Sequence, residues 1–425
     1  MWRRQPSLTP GGRRWSGAAG VALIVALGGW SATATAQVVS QRGFVEVRSA
    51  WFPQDSPNDG TNLVGDLLAR EEVFFKPTLS VQFAVGLDAR ASSHEQVDTS
   101  WRVDLRDRGM LRPRLSLRRL GATLHRGPIT VDAGKQFIRW GKADIITPTD
   151  RFAPRDFLNV IDSEFLPVTG VRAVVQVGPN TIDGAWVPLF TPSRIPLVDQ
   201  RWSVVPPAYV ASITVVDAKT PDRSQAGVRW SHTGSGYELS ASFFDGLDHR
   251  PTLDVRPDPR SASIEVAKMY PRLRSYGADG AVPTRWFTIK GEAAYVTSPV
   301  PTTDEYVLYV LQLERQSGEW ALVGGYAGEV VTKRRGQLSF APDRGLTRAL
   351  VGRASYTIDG NRSLAIETAI RQNGHGVFAK TEYSHGRGQH WRATATVAVI
   401  AGRADEFLGQ FRRNSYGSLA LRYSF

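Results

Sequence analysis

The chain has 425 residues, 52 Lys and Arg against 40 Asp and Glu, a formal charge of +12 and no cysteine. The missing thiols exclude a disulfide scaffold and thiolate metal centres. The basic excess suits a surface of anionic lipid, and no recognisable nucleic-acid-binding motif accompanies it, so nucleic acid is not an expected partner.

Residues 1–36 read as an export signal. Arg3, Arg4, Arg13 and Arg14 form the positive n-region, Gly17 to Trp30 a short apolar core, and Ala34-Thr35-Ala36 a small-x-small cleavage pattern. The sequence around Arg13-Arg14 fits the twin-arginine route poorly, so general secretion is expected. The mature chain, 37–425, then keeps +8, because the four signal arginines face no acid within 1–36. An apolar core of about fourteen residues is too short to span a bilayer as a helix, which takes roughly twenty. No other apolar run approaches that length, so a mature membrane protein would cross as strands.

The remainder supplies such strands. The first, Gly43 to Trp51, starts close to the cleavage site and leaves no room for an N-terminal plug domain. Further on, Tyr237, Leu239, Ala241 and Phe243 alternate with Glu238, Ser240 and Ser242, and Phe287, Ile289, Ala293 and Tyr295 with Thr288, Lys290 and Glu292. Val307, Tyr309, Leu311 and Leu313 face away from Gln312 and Glu314. Leu364, Ile366, Thr368 and Ile370 alternate with Glu367 and Arg371, and Trp391 to Val399 with Arg392, Thr394 and Thr396. Period two with one greasy and one wet face is the strand pattern of a membrane barrel.

Short Gly and Asn/Asp clusters at 178–180, 233–236, 317–319, 359–361 and 386–388 suit tight hairpins. Longer connections at 53–61, 91–113, 140–169, 191–223, 248–261, 297–303, 333–345 and 402–413, with 373–376 in a long-loop place, fall between them. The expected fold is all-β: a single transmembrane antiparallel β-barrel of about eighteen strands, with sixteen to eighteen admissible, over 37–425. The chain closes on Ser415–Phe425, where Leu419, Leu421, Tyr423 and Phe425 share one face. This strand resembles the C-terminal strand of outer-membrane barrels, a resemblance that implies recognition of the terminal Phe and alternate hydrophobes by the barrel-assembly machinery.

Eighteen strands enclose more than side chains fill, so the lumen should be an aqueous channel narrowed by a loop. The third connection is the candidate. It carries Lys142, Asp144, Asp150, Arg151, Arg155 and Asp156, and Asp156 to Phe165 has helical spacing with Phe157, Val160 and Ile161 on one side. These charges either line the path or pair to hold the loop. Gly134 breaks the alternation, as a bulge turning Lys135 and Arg139 inward would. Lys290, Arg353, Arg371, Lys380 and Arg392 are expected in the lumen against Glu238, Glu292, Glu314, Glu367 and Glu382. Lys380 with Glu382, and Lys290 with Glu292, are close enough in sequence to pair. Lys333-Arg334-Arg335 is either a lipid-phosphate contact or a solvated loop.

Gly134-Lys135-Gln136-Phe137-Ile138-Arg139-Trp140-Gly141-Lys142-Ala143-Asp144, followed by Pro148-Thr149-Asp150 and Pro154-Arg155-Asp156, resembles a signature of Gram-negative outer-membrane porin-like barrels related to the alginate-export porins. The resemblance is strongest over 113–190. It implies an outer-membrane channel that works beside a periplasmic exporter component; the chain as a whole reads as a loop-constricted channel for diffusion or export of polar or anionic solutes, set among outer-membrane lipid and lipopolysaccharide. A barrel enzyme, such as a lipid or peptide hydrolase, and an adhesive barrel binding through 140–169 and 191–223 are the rival classes. His94, His125, His232, His249, His375, His385 and His390 form no recognisable serine or metal constellation, so no catalytic residue, metal or cofactor is expected.

Overall fold

The protein is described by a computed structural model covering residues 39–217, 221–257, 263–336 and 338–425. The export-signal segment lies outside the described residues. The main sheet has 19 strands, of which one, Val103–Asp104, is a two-residue loop strand and the others form the wall. The wall begins with β1 (Val39–Trp51), β2 (Leu63–Thr78), β3 (Val81–Ser92), β4 (Leu115–Arg126), β5 (Ile129–Gln136) and β6 (Val168–Val177). It continues with β7 (Asn180–Leu189), β8 (Gln225–Gly234), β9 (Tyr237–Leu247), β10 (Arg272–Pro283), β11 (Thr288–Thr297) and β12 (Glu305–Ser317). It ends with β13 (Trp320–Lys333), β14 (Ala349–Thr357), β15 (Arg362–Arg371), β16 (Gly376–Arg387), β17 (Trp391–Gly402) and β18 (Tyr416–Ser424). Each pairs antiparallel with its chain neighbours, and β18 closes on β1 from Phe44↔Ser424 to Trp51↔Gly417. The molecule is thus a single closed eighteen-stranded antiparallel barrel.

Alternation decides which way each residue points. Val47, Leu311, Leu313, Val397, Leu419 and Leu421 stand outward and are 45–68% exposed, an apolar belt of the kind that faces lipid. Trp230, Tyr237, Trp320, Trp391 and Tyr423 stand on the same outward face near the short turns, where an interfacial aromatic girdle belongs. The short turns need left-handed backbone, and Gly178 and Gly318 supply it at φ of 57° and 56°.

The long connections lie at the other end and match the expected ones closely, with one extension. The loop after β9 runs past 261 to 271, and its strands Thr252–Pro257 and Ile264–Met269 join Ile213–Asp217 of the preceding loop in a three-stranded sheet. Strands of five or six residues are too short to cross a membrane, which takes about nine to eleven. The long-loop half of the lumen is also not wet. Phe244, Leu273, Val296, Leu308, Val310, Val351, Phe378 and Ile400 point inward there and are buried, because a loop fills the space they enclose.

Candidate functional site

The chain leaves the wall after Gln136 and returns at Val168, and the segment between crosses the lumen. β5 is only 8 residues long beside the 12 of β4. Val103–Asp104 pairs parallel with Leu115–Ser116 beyond the end of β5, in the place a longer β5 would take. The inner loop is anchored by burial first. Ile138, Trp140 and Phe152 pack on the walls of β6, β7 and β9–β12, Ile146 on Val310 and Ala327, and Val160 among side chains of β1, β2 and β14–β18. Each large apolar side chain so buried is worth about 1.5–3 kcal/mol.

Polar groups then fix its position. Glu292 of β11 accepts the backbone N–H groups of Lys142 (2.9 Å), Ala143 (2.8 Å) and Thr149 (2.8 Å) and the Thr149 hydroxyl (2.9 Å). Gln312 of β12 accepts the Asp144 N–H at 2.9 Å, and Trp140 donates its indole N–H to Asp183 of β7 at 2.9 Å. Further round the wall, Asp162 accepts from Arg48 of β1 (3.2 Å), Lys380 of β16 (3.3 Å) and the Tyr416 hydroxyl of β18. The loop is therefore tied to β11–β12 at one side of the barrel and to β16, β18 and β1 at the other.

The expected site residues separate into groups. Arg139, Lys142, Asp144, Asp150, Arg151, Arg155 and Asp156 all lie on this loop. Asp150 is an internal fastener, accepting the Trp140 and Gly141 N–H groups at 2.6 and 2.7 Å and pairing with Arg139, while Asp156 ties the loop to two others through Arg112 at 3.0 Å and Arg194 at 3.2 Å. Burial would raise the Asp156 pKa, but Arg112 and Arg194 prevail and hold it at about 2. Arg139 and Arg155 both stack on Phe165, at 4.0 and 4.1 Å. Lys142 pairs with Glu238 at 2.6 Å, and Lys290 bridges Glu314 (2.7 Å) and Asp144 (3.4 Å). Lys290 and Lys380 thus take partners from a neighbouring strand or the loop, not the acids two residues away.

Four readings need correction. Lys135 does not face the lumen: it stands opposite the outward Leu120 and is buried against Asp107 (2.6 Å) and the Leu105 carbonyl (2.9 Å). No bulge occurs at Gly134, since the register of β5 with both neighbours runs through it unbroken. Arg371 points inward but is spent on the rim, donating to the Gly345 and Thr347 carbonyls and pairing with Glu406. The 156–165 stretch is not a helix; Arg155–Asp156 pairs with Glu164–Phe165 as a two-stranded ribbon, and Asn159 and Asp156 side chains accept the N–H groups that a helix would use. Arg353 and Arg392 are inward and exposed toward the short-turn half. Of the basic outer segment, Lys333 and Arg335 pair with Glu305, and Arg335 also holds the Val300 carbonyl.

Alternation alone did not reveal an arginine cluster on the inner wall of β1–β4. Asp88 receives Arg70 at 2.7 Å and Arg90 at 3.1 Å, with Arg118 at 3.9 Å, while Glu72 faces Arg42 at 2.6 Å and Arg119 at 3.8 Å. Glu164 of the loop adds one more carboxylate, on Arg90. Five guanidinium groups face three carboxylates. Between this wall and the loop runs a crevice of about 910 Å³, counting its solvent-open mouths, lined by Glu46, Arg48, Asp66, Arg90, Asp162 and Glu164 among others.

Five of the histidine rings each take a single hydrogen-bond partner: His94 meets Asp59 at 2.5 Å, His125 Thr130 at 2.9 Å and His232 Asn180 at 3.0 Å, while His249 donates to the Thr191 carbonyl at 2.6 Å and His390 to the Ser424 carbonyl at 2.7 Å. Among the described residues no group of three or more His, Cys, Asp or Glu is placed to hold a metal ion.

No protein-family profile and no curated protein matches the sequence. Solved structures do match in shape. Acinetobacter baumannii OccAB4 superposes with a TM-score of 0.54 at 11% identity, over 92% of this chain and 99% of that one. A mutant of the Rh. blastica porin and Vibrio cholerae OmpT match more loosely, each with a TM-score of 0.41 and 8% identity over 91% of this chain. The fold is that of a porin-like outer-membrane barrel.

Proposed function

We propose that the protein is a channel of the Gram-negative outer membrane through which small polar solutes diffuse, anions in preference, without covalent chemistry or cofactor. The observation that carries this reading is the inner loop tied across the lumen beside a crevice open to solvent. A loop so placed sets the narrowest section of an otherwise wide barrel. Of the arginine excess on β1–β4, Arg90 lines that crevice and the others stand on the wall next to it, which supports preference for anions. Outer-membrane lipid and lipopolysaccharide are the surroundings, and the apolar face of β18 ending in Phe425 is the feature offered to the assembly machinery. The resemblance over 113–190 supports a place beside a periplasmic exporter component.

Single-channel current across a planar bilayer tests the reading. Purified mature protein should give discrete steps, and a salt gradient should give a reversal potential of the sign for anions. Folded protein that stays silent would sink the channel reading.

A further inference from the structure

The outward face of β12–β16 carries a notch. Along one register row the outward residues are Leu313, Gly324, Gly352, Thr368 and Ala379. The next row toward the long loops is bulky, with Tyr326, Leu350 and Ile370; toward the short turns stand Leu322 and Ile366. The space between, counting its open side, is about 850 Å³ and is floored by the two glycines.

Nothing in the backbone requires those glycines. A Cβ added to Gly324 meets no atom within 4 Å, and at Gly352 the nearest atom is Thr368 Oγ1 at 3.4 Å, an ordinary contact. Neither has a positive φ, and the register passes through both without a bulge. A glycine inside a strand weakens it, and where neither bulge nor bend accounts for it, close approach of a ligand or another chain remains.

The ligand's chemistry is set at the short-turn end of the notch. Arg315 is the register partner of Leu322 and stands over Trp286 at 5.8 Å; Arg285 stands over the same ring at 5.1 Å. Trp286 is 56% exposed, and the Trp320–Tyr356 ring pair, 4.7 Å apart, marks the same interfacial depth. Neither guanidinium pairs with a carboxylate among the described residues. An apolar trough leading to two uncompensated cations at the membrane interface fits a molecule with a long hydrocarbon chain and an anionic head. We propose that the notch holds one acyl chain of an anionic glycerophospholipid from the short-turn leaflet, with its phosphate on Arg285 and Arg315. This rests on the barrel standing in a membrane, not on its conducting solute.

Native mass spectrometry of the mature barrel in detergent, with palmitoyl-oleoyl-phosphatidylglycerol added, reads the site directly. Wild type should retain one lipid after the others are stripped. The double substitution Gly324→Leu with Gly352→Leu, which fills the trough with a residue type already common on this face, should cut the retained fraction at least fivefold. Arg285→Gln with Arg315→Gln, at the turn end, should cut it severalfold and remains informative if the leucine pair fails to assemble. Conductance of both variants should equal that of wild type, which separates loss of lipid from loss of the channel. Equal retention by the leucine pair and wild type would overturn the proposal, because the lipid would then be merely annular. A wild-type oligomer that the leucine pair splits, with lipid retention unchanged, would also overturn it and assign the notch to a second copy.

Discussion

Two of the carboxylates that anchor the inner loop act differently. Asp156 is buried between Arg112 and Arg194, which hold its pKa at about 2. A carboxylate depressed in the folded state contributes stability at pH above its unfolded value near 3.9 and loses it as pH falls through the folded one; here that contribution is about 2–3 kcal/mol. The loop should therefore stay shut at neutral pH and loosen between about pH 4 and pH 2, which single-channel noise in that window would show. Asp156→Asn, which cannot titrate, should show that noise already at neutral pH and lose the pH dependence in this window. Glu292 works by accepting three backbone N–H groups and one hydroxyl at once. Glu292→Ala leaves those donors buried and unmet, at about 3 kcal/mol for the local opening. Amide exchange over 142–149 should rise roughly a hundredfold, since each 1.4 kcal/mol is a factor of ten. Unchanged exchange would mean that the apolar anchors suffice. Alternation placed Glu292 in the lumen from the sequence, but its partners lie 143–150 residues away along the chain, beyond the reach of any local pattern. Lys135 departs from its expected place because Gly134 (φ 122°) makes no bulge: it sits in register with Gly121 and Gly170, where an added Cβ would meet the Leu120 carbonyl at 2.1 Å.

At the scale of elements, the strands were legible and the inner loop was legible only in part. The wall repeats one rule of period two, so each strand announces itself. The loop obeys no period because two facing walls determine its shape. Its hydrophobic content, Phe152, Phe157 and Val160, showed that it must pack on something, yet the helical spacing of 156–165 is met by a ribbon held by Asx-type contacts. Deleting 146–166 removes Asp150, Asp156 and Asp162 together with the apolar anchors Ile146, Phe152 and Val160. Conductance should rise severalfold, and an unchanged value would show that the constriction lies elsewhere. The closing strand makes a separate prediction. Phe425 exchanges both backbone hydrogen bonds with Gly43, at 2.9 and 3.0 Å, and its ring lies 6.3 Å from that of Tyr423. Phe425→Ala keeps those backbone bonds, so barrels that do assemble should conduct normally while the amount reaching the membrane falls.

For the whole molecule the question is how a lumen crowded with paired charges could select at all. Most lumenal ions are neutralised within a few ångströms: Arg172 by Asp183, Arg229 by Asp279, Lys290 by Glu314 and Arg422 by Glu46. Such pairs contribute little field at the distance of a passing solute. The excess is greatest on β1–β4, where Arg42, Arg70, Arg90, Arg118 and Arg119 outnumber their carboxylates, and Arg353 and Arg392 stand exposed further round the wall. A preference built on that excess acts through a field, and salt shortens the reach of a field from about 30 Å at 0.01 M to about 3 Å at 1 M. The anion-directed reversal potential, measured at a fixed concentration ratio, should therefore be large in dilute salt and shrink toward zero at molar salt. Arg70→Gln with Arg119→Gln should lower it in dilute salt and leave the conductance at molar salt almost unchanged. A preference that persists at molar salt in wild type and vanishes in this variant would mean that solutes are held by direct contact with these guanidinium groups, and the lumen would then act as a binding site more than as a charged passage.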